Sequence, residues 1–159
     1  NRSISGVTAF NSFWLLPVTY FFKKMIDSKI IKIASYTKNA GLKNRFTHKS
    51  SIKNPLCGDF IKTEFIADKS KIKSMRYETE SCILCEASAS LFSRKIKNLQ
   101  INDLIKEIKK LKGFDGKVNY KFSSKFKEFK RLINKQNITR LNCVILPMEA
   151  FLKAFKISK

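Results

Sequence analysis

The chain has 159 residues, enough for one domain with a genuine hydrophobic core and too few for two independent ones. Hydrophobic residues make up 43%, an ordinary globular share that excludes wholesale disorder. A formal charge of +21, from 33 Lys and Arg against 12 Asp and Glu, admits a polyanionic partner. The basic residues are nevertheless spread along the whole chain, and a composition heavy in Lys, Ile, Asn and Phe reads as genome-wide bias more readily than as a binding face.

Residues 1–24 differ in character from the remainder of the chain. They carry Arg2, Lys23 and Lys24, no acid, and an apolar run from Phe13 to Phe22 that Pro17 interrupts. That run is too short to span a bilayer, and its basic pair comes after the apolar stretch where a signal peptide would place it first. We expect Met25 to be the natural start, with 1–24 an upstream extension and 25–159 a single domain. From Ile26 to about Lys38 the apolar positions Ile26, Ile30, Ile31, Ile33 and Ala34 fall near helical spacing, with Asn39-Ala40-Gly41 as a stop. Arg45 to Ile52, which includes His48, the only histidine, reads as a polar extended connector.

Phe60–Ile66 and Ile72–Thr79 alternate apolar and polar residues around an Ala67-Asp68-Lys69-Ser70 turn, the signature of a β-hairpin. Beyond it the period becomes helical. Leu84, Ala87, Ser88, Leu91 and Phe92 make one face, and Ile101, Leu104, Ile105, Ile108 and Leu111 make a second amphipathic helix ended by Gly113. Phe114–Tyr120 reads as a loop. Phe122, Phe126, Phe129, Leu132 and Ile133 form another helical stripe, better suited to a core than to an aromatic platform for nucleic acid. A last helix is expected with Pro147 in its first turn and Met148, Phe151, Leu152 and Phe155 on its buried face. The fold class implied is α+β.

The four cysteines are Cys57, Cys82, Cys85 and Cys143. They are too sparse for a secreted disulfide framework, and a Cys-x-x-Cys pair such as Cys82/Cys85 fits metal or redox chemistry instead. The spacing does not repeat as a zinc ribbon requires. Cys57 sits beside Gly58 and Asp59 in a turn initiated by Pro55, an exposed setting. Cys82 and Cys143 fall at or just before helix N-termini, where unpaired backbone N–H groups favour an anion. Thiolate is the form that binds metal and attacks sulfur. Soft thiolate donors suit zinc or an iron–sulfur cluster, and Asp59 can add one weaker oxygen donor from the same turn as Cys57. Cys85 is as well explained by simple packing as by chemistry.

Three segments together, Asn-Pro-Leu-Cys-Gly-Asp at 54–59, Cys-Ile-Leu-Cys-Glu-Ala-Ser-Ala-Ser at 82–90 and Cys-Val-Ile-Leu-Pro-Met-Glu-Ala at 143–150, resemble the three cysteine motifs of the NifU/IscU family of iron–sulfur cluster scaffolds. The resemblance spans roughly residues 26–157. It implies a small antiparallel sheet, with the hairpin near 58–79, and helices packed on one face. It also implies a protein that takes sulfur from a cysteine desulfurase, builds a [2Fe–2S] cluster from iron and sulfur, and passes the cluster to apoproteins, more a carrier than a turnover enzyme. By match the ligands would be Cys57, Asp59, Cys82 and Cys143, with Asp59 the labilising one and Cys57, Cys82 or Cys143 the persulfide acceptor. Chaperone or iron-donor proteins are further partners implied. The setting implied is a bacterial cytoplasm, ahead of a mitochondrial matrix.

Two departures bear on this. Asn142 stands where the IscU branch has His, and the interval from Cys82 to Cys143 is longer than in that branch, closer to the zinc-containing SufU branch of sulfur acceptors. Zinc in place of iron, with the chain as a zinc-dependent sulfur acceptor, is therefore the alternative reading. Cys85 replaces a small residue and would serve as an extra ligand, a sulfur relay or neither. A basic nucleic-acid-binding module is the remote third reading.

Overall fold

Alternation in the central hairpin builds the sheet on which the rest packs. A computed structural model describes residues 27–114 and 121–157. The expected extension at 1–24 and most of the loop at 114–120 lie outside the described residues. Strand β2 (Phe60–Asp68) pairs antiparallel with β1 (His48–Lys53) on one side and β3 (Lys71–Glu80) on the other, giving a three-stranded sheet in the order β1-β2-β3. Ile61, Thr63 and Phe65 of β2 face the helices and are buried. A bulge between Ile66 and Ala67 shifts the register of β3, so that Ile72 and Met75, three residues apart, both reach the core.

Two helices cover that face. Helix α2 (Ile83–Lys95) is central, with nine residues buried, and α4 (Leu141–Ala154) lies across β1 and β2. Helix α1 (Ser28–Ala34) packs on α2, and α3 (Ile101–Lys112) packs on α4. Small residues let α2 approach its neighbours closely. The Ser90 hydroxyl donates to the carbonyls of Ile33 and Tyr36, and that of Ser88 to the carbonyl of Val144, so buried polar groups become inter-helix ties. Phe151 meets Phe65 and Phe92 edge-to-face at 5.5 and 6.3 Å, and Phe155 lies tilted against Phe151 at 4.6 Å.

The α+β class, the hairpin and the helices on one face agree with the sequence-based expectation. Four local readings change. The connector at 45–52 is in large part strand β1, an edge strand whose inward side mixes His48, Ser50 and Ile52 and so shows no apolar alternation. Ser50 pairs with Thr63 Oγ1 at 2.9 Å and donates to the Ala150 carbonyl at 2.7 Å. The first helix stops at Ala34, because residues 39–41 are drawn onto β3, where Arg76 donates to the carbonyls of Ala40 and Gly41. The Phe126/Phe129 stripe is a 3₁₀ segment, Ser124–Arg131, in which residues three apart share one side. Helix α4 begins at Leu141, six residues before Pro147, so Pro147 lies inside it.

Phe151 joins the sheet to α2 and should be the most costly of these side chains to truncate. Phe151→Ala is expected to lose about 3–5 kcal/mol of unfolding free energy in urea titrations. A loss below about 1.5 kcal/mol would show that the aromatic junction is not the core's centre.

Candidate metal and sulfur site

The site forms where the β1–β2 loop meets the N-termini of α2 and α4. Asn54 to Asp59 connect the strands through a tightly bonded turn. Asn54 N donates to the Asp59 carbonyl at 2.7 Å, Gly58 N to the Asn54 carbonyl at 2.9 Å, and Leu56 N to Asn54 Oδ1 at 3.0 Å. Gly58 holds φ +78°, a left-handed conformation that a residue with a Cβ resists, and it reverses the chain so that Asp59 turns inward while Cys57 stays outside. Cys57 is exposed, next to Leu56, which is 79% exposed at the loop's tip.

Asp59 is buried at 5% exposure. Its Oδ1 accepts the backbone N–H of Cys82 at 2.9 Å, and Cys82 is the N-cap residue of α2. Its Oδ2 is buried without a hydrogen-bond partner. Burial pushes the Asp59 carboxyl up, but the Cys82 amide and the thiols of Cys143, Cys82 and Cys57 outweigh it and hold the group below its ordinary value. Asp59 is therefore a carboxylate with one oxygen tied and one free to accept a cation.

Cys143 arrives from the first turn of α4. Pro147, four residues on, has no amide to offer the Cys143 carbonyl. The Ser88–Val144 bond sets this turn against α2, and the Cys143 sulfur stands 3.5 Å from that of Cys57. One donor atom from each of Cys57, Asp59 and Cys143 lies within 4.8 Å of the others. Cys82 flanks this group: its backbone binds Asp59, but its sulfur is not one of the three mutually close donors. Cys85, on the inward side of the same helix, is fully buried and also outside the group, and burial pushes its thiol up to about 12. The structure thus brings Cys57, Asp59 and Cys143 together, sets Cys82 at their edge and turns Cys85 into the core.

The expectation that the helix N-terminus makes Cys143 a ready thiolate is not met without a metal. Burial pushes its thiol well up, and the nearby Cys57, Asp59 and Cys82 groups add to the shift. A bound cation would reverse this balance. Arg140, the residue before α4, was not singled out from sequence. Its guanidinium is held above its ordinary value by its closeness to Cys82 first and then, against some desolvation, to Cys143 and Asp59. The signal for it was one helical turn of spacing from Cys143, visible only once α4 is known to start at Leu141. His48 stacks on Phe155 at 4.0 Å, well outside this cluster.

Fold and site together define a small α+β domain with a thiol–carboxylate cluster where sheet and helices meet. The chain belongs to the family described as NifU-like N terminal domain, whose sequence profile matches residues 25–120. The match takes in the first two cysteine motifs, and Cys143 lies beyond it. Among solved structures, the chain is similar to the N-terminal part of a NifU-like protein from Brucella abortus, with TM-score 0.75 and 14% identity over 85% of this chain and 94% of that one. It is also similar to a putative iron–sulfur cluster assembly scaffold protein for the SUF system from Fervidobacterium islandicum AW-1, with TM-score 0.68 and 18% identity over 82% and 96%. No curated protein matches it in sequence. At these identities the two structures support the fold.

Exposure orders the thiols. Under anaerobic alkylation of metal-free protein, peptide mapping should find Cys57 modified first, then Cys82, with Cys143 and Cys85 slowest, Cys57 outpacing Cys85 by at least about tenfold. Early loss of Cys85 would contradict the burial assigned to it.

Proposed function

We propose that the protein is an iron–sulfur cluster assembly scaffold. In this reading residues 25–159 form one scaffold domain that accepts sulfur from a cysteine desulfurase. A [2Fe–2S] cluster is then assembled on Cys57, Asp59, Cys82 and Cys143 and handed to apoproteins. The observation that carries the reading is the cluster of two thiols and a buried, half-unpartnered carboxylate, in a chain of this family.

The donor set suits transient cargo. Thiolates bind iron strongly and a carboxylate oxygen less so, so one edge of the site lets go first. Asp59 has its second oxygen free inside a pocket of thiols, the arrangement a cation would satisfy. The Cys82 sulfur stands beside the group, where modest movement of the N-cap residue would bring it in as a fourth donor. Cys85 is left out of the ligand set because its side chain fills the core. The Arg140 guanidinium offsets the negative charge of several thiolates and a carboxylate gathered together. A persulfide relay on free thiols needs a reducing compartment, and in this reading that is a bacterial cytoplasm ahead of a mitochondrial matrix. Among the described residues no helix is long and apolar enough to cross a membrane.

The second reading is a zinc-dependent sulfur acceptor. Asn142 supports it, since it leaves no imidazole next to Cys143 to join an iron site. The same Cys57, Asp59, Cys82 and Cys143 would hold zinc, which would supply Lewis acidity and keep the thiols deprotonated until sulfur arrives.

Anaerobic incubation with iron, cysteine and a desulfurase separates the two. A scaffold develops visible charge-transfer absorption and then loses it to an apoprotein. A zinc-dependent acceptor retains zinc, stimulates the desulfurase and stays colourless. For the scaffold, Cys57→Ser, Cys82→Ser and Cys143→Ser should each cut assembly by about a hundredfold or more, and Asp59→Ala should slow cluster release by about tenfold. Cys85→Ser should lower stability yet keep assembly. Faster release from Asp59→Ala would remove the labile-ligand role.

A further inference from the structure

The 3.5 Å contact between the sulfurs of Cys57 and Cys143 joins two thiols of opposite character. Cys57 is exposed on a loop, whereas Cys143 is 3% exposed and anchored in a packed helix. A disulfide needs the sulfurs at about 2.05 Å, so closure requires a shift of about 1.5 Å. The loop tip can supply that movement more readily than α4, which packs on α2, α3 and strands β1 and β2. Cys82 and Cys85 are not among the three mutually close donors.

We propose that Cys143 resolves sulfur delivered to Cys57, so that the protein itself reduces a bound persulfide to sulfide. This rests on the sulfur-accepting step of the function proposed above. Sulfur delivered from outside meets Cys57, the exposed member of the pair, and gives a Cys57 persulfide. The Cys143 sulfur then attacks Cys57 Sγ, the atom it already touches, and gives up its proton to the leaving sulfur in the same step, so no free thiolate is needed beforehand. The Cys57–Cys143 bond forms, and the bond between Cys57 Sγ and the outer sulfur breaks. The electron pair of the broken bond leaves with the outer sulfur, which passes from the sulfane to the sulfide level. The outer sulfur keeps its proton, takes the Cys143 proton and departs as hydrogen sulfide. The two protein sulfurs are oxidised to a disulfide, so electrons and protons balance with no other reductant. A dithiol reductant from outside resets the pair for another round.

Reduction and simple relay differ in which sulfur Cys143 attacks. Had Cys143 stood over the outer sulfur it would take the sulfur onto itself. Its contact is with Cys57 Sγ, and attack there expels sulfide. Cluster assembly consumes sulfide, so the pair would convert the delivered oxidation state into the one the cargo needs.

Tryptic cleavage separates the thiols: Cys57 falls in residues 54–62, Cys143 in 141–153, and Cys82 with Cys85 in 77–94. The full chain, purified anaerobically and stripped of metal with a chelator, is treated briefly with about one sulfane equivalent of inorganic polysulfide, then freed by gel filtration of unreacted polysulfide and of the sulfide that loading itself expels, so that only later sulfide is counted. Sulfide release should approach about one per chain without added thiol, with 54–62 and 141–153 recovered cross-linked and about 2 Da lighter than their sum. Cys143→Ser should instead keep about 32 Da on 54–62 and release no sulfide. If that variant does not fold, the wild-type products alone decide. Added sulfur that persists on 54–62 of the wild-type chain, or moves to 141–153, overturns the resolving step while leaving sulfur acceptance intact. Absence of any added sulfur, sulfide or cross-link overturns both.

Discussion

The site depends on one buried carboxylate. Taking Asp59 out of water is costly, and the fold compensates with a hydrogen bond from the Cys82 amide at the open end of α2. That bond ties the β1–β2 loop to the start of α2, so Cys57 and Cys82, far apart in sequence, share one end of the molecule. The second carboxylate oxygen is left unsatisfied, and the thiols of Cys57 and Cys143 are its close neighbours. Stability alone would have selected a neutral or fully bonded group here. A polar atom kept buried and unpaired is the kind of local conflict that functional sites retain.

The remaining geometry comes from how α4 is seated. Its C-terminal half is held by Phe151 and Phe155 against Phe65 and by the Ser50 bond to Ala150. Its N-terminal half is held by Ser88 on α2. These contacts deliver Cys143 to the loop and place Arg140 one turn away, so the charge that several thiolates would accumulate is met by a guanidinium. Much of the high positive charge elsewhere lies on exposed lysines and makes few ion pairs among the described residues, the best defined being Lys95 with Glu128 and Lys112 with Glu149. At Cys143 the local electrostatics come first from burial and then from Cys57, Asp59 and Cys82.

The thiols also differ in what the fold allows them to do. Cys57 meets solvent, Cys82 caps a helix, Cys143 sits just beneath the surface and Cys85 is sealed in the core. Accessibility decides who receives, proximity decides who reacts next, and a thiol with neither is structural. The paired exposed and buried sulfurs suit an outside-to-inside transfer of reactivity within one shallow site.

Residue order by itself determined the hairpin, the helical stretches, the α+β class and the segments that carry the cysteines, because period-2 and period-3.6 patterns and turn residues act locally. It did not reveal β1, whose inward side mixes His48, Ser50 and Ile52 and so shows no apolar alternation, nor the true start of α4, because Pro147 is buried inside that helix. The proximity of Cys57, Asp59 and Cys143, the marginal position of Cys82, the burial of Cys85 and the presence of Arg140 were decided only by tertiary structure. Each depends on contacts between residues tens of positions apart, and local propensity carries no information about which side of a helix another segment will cover.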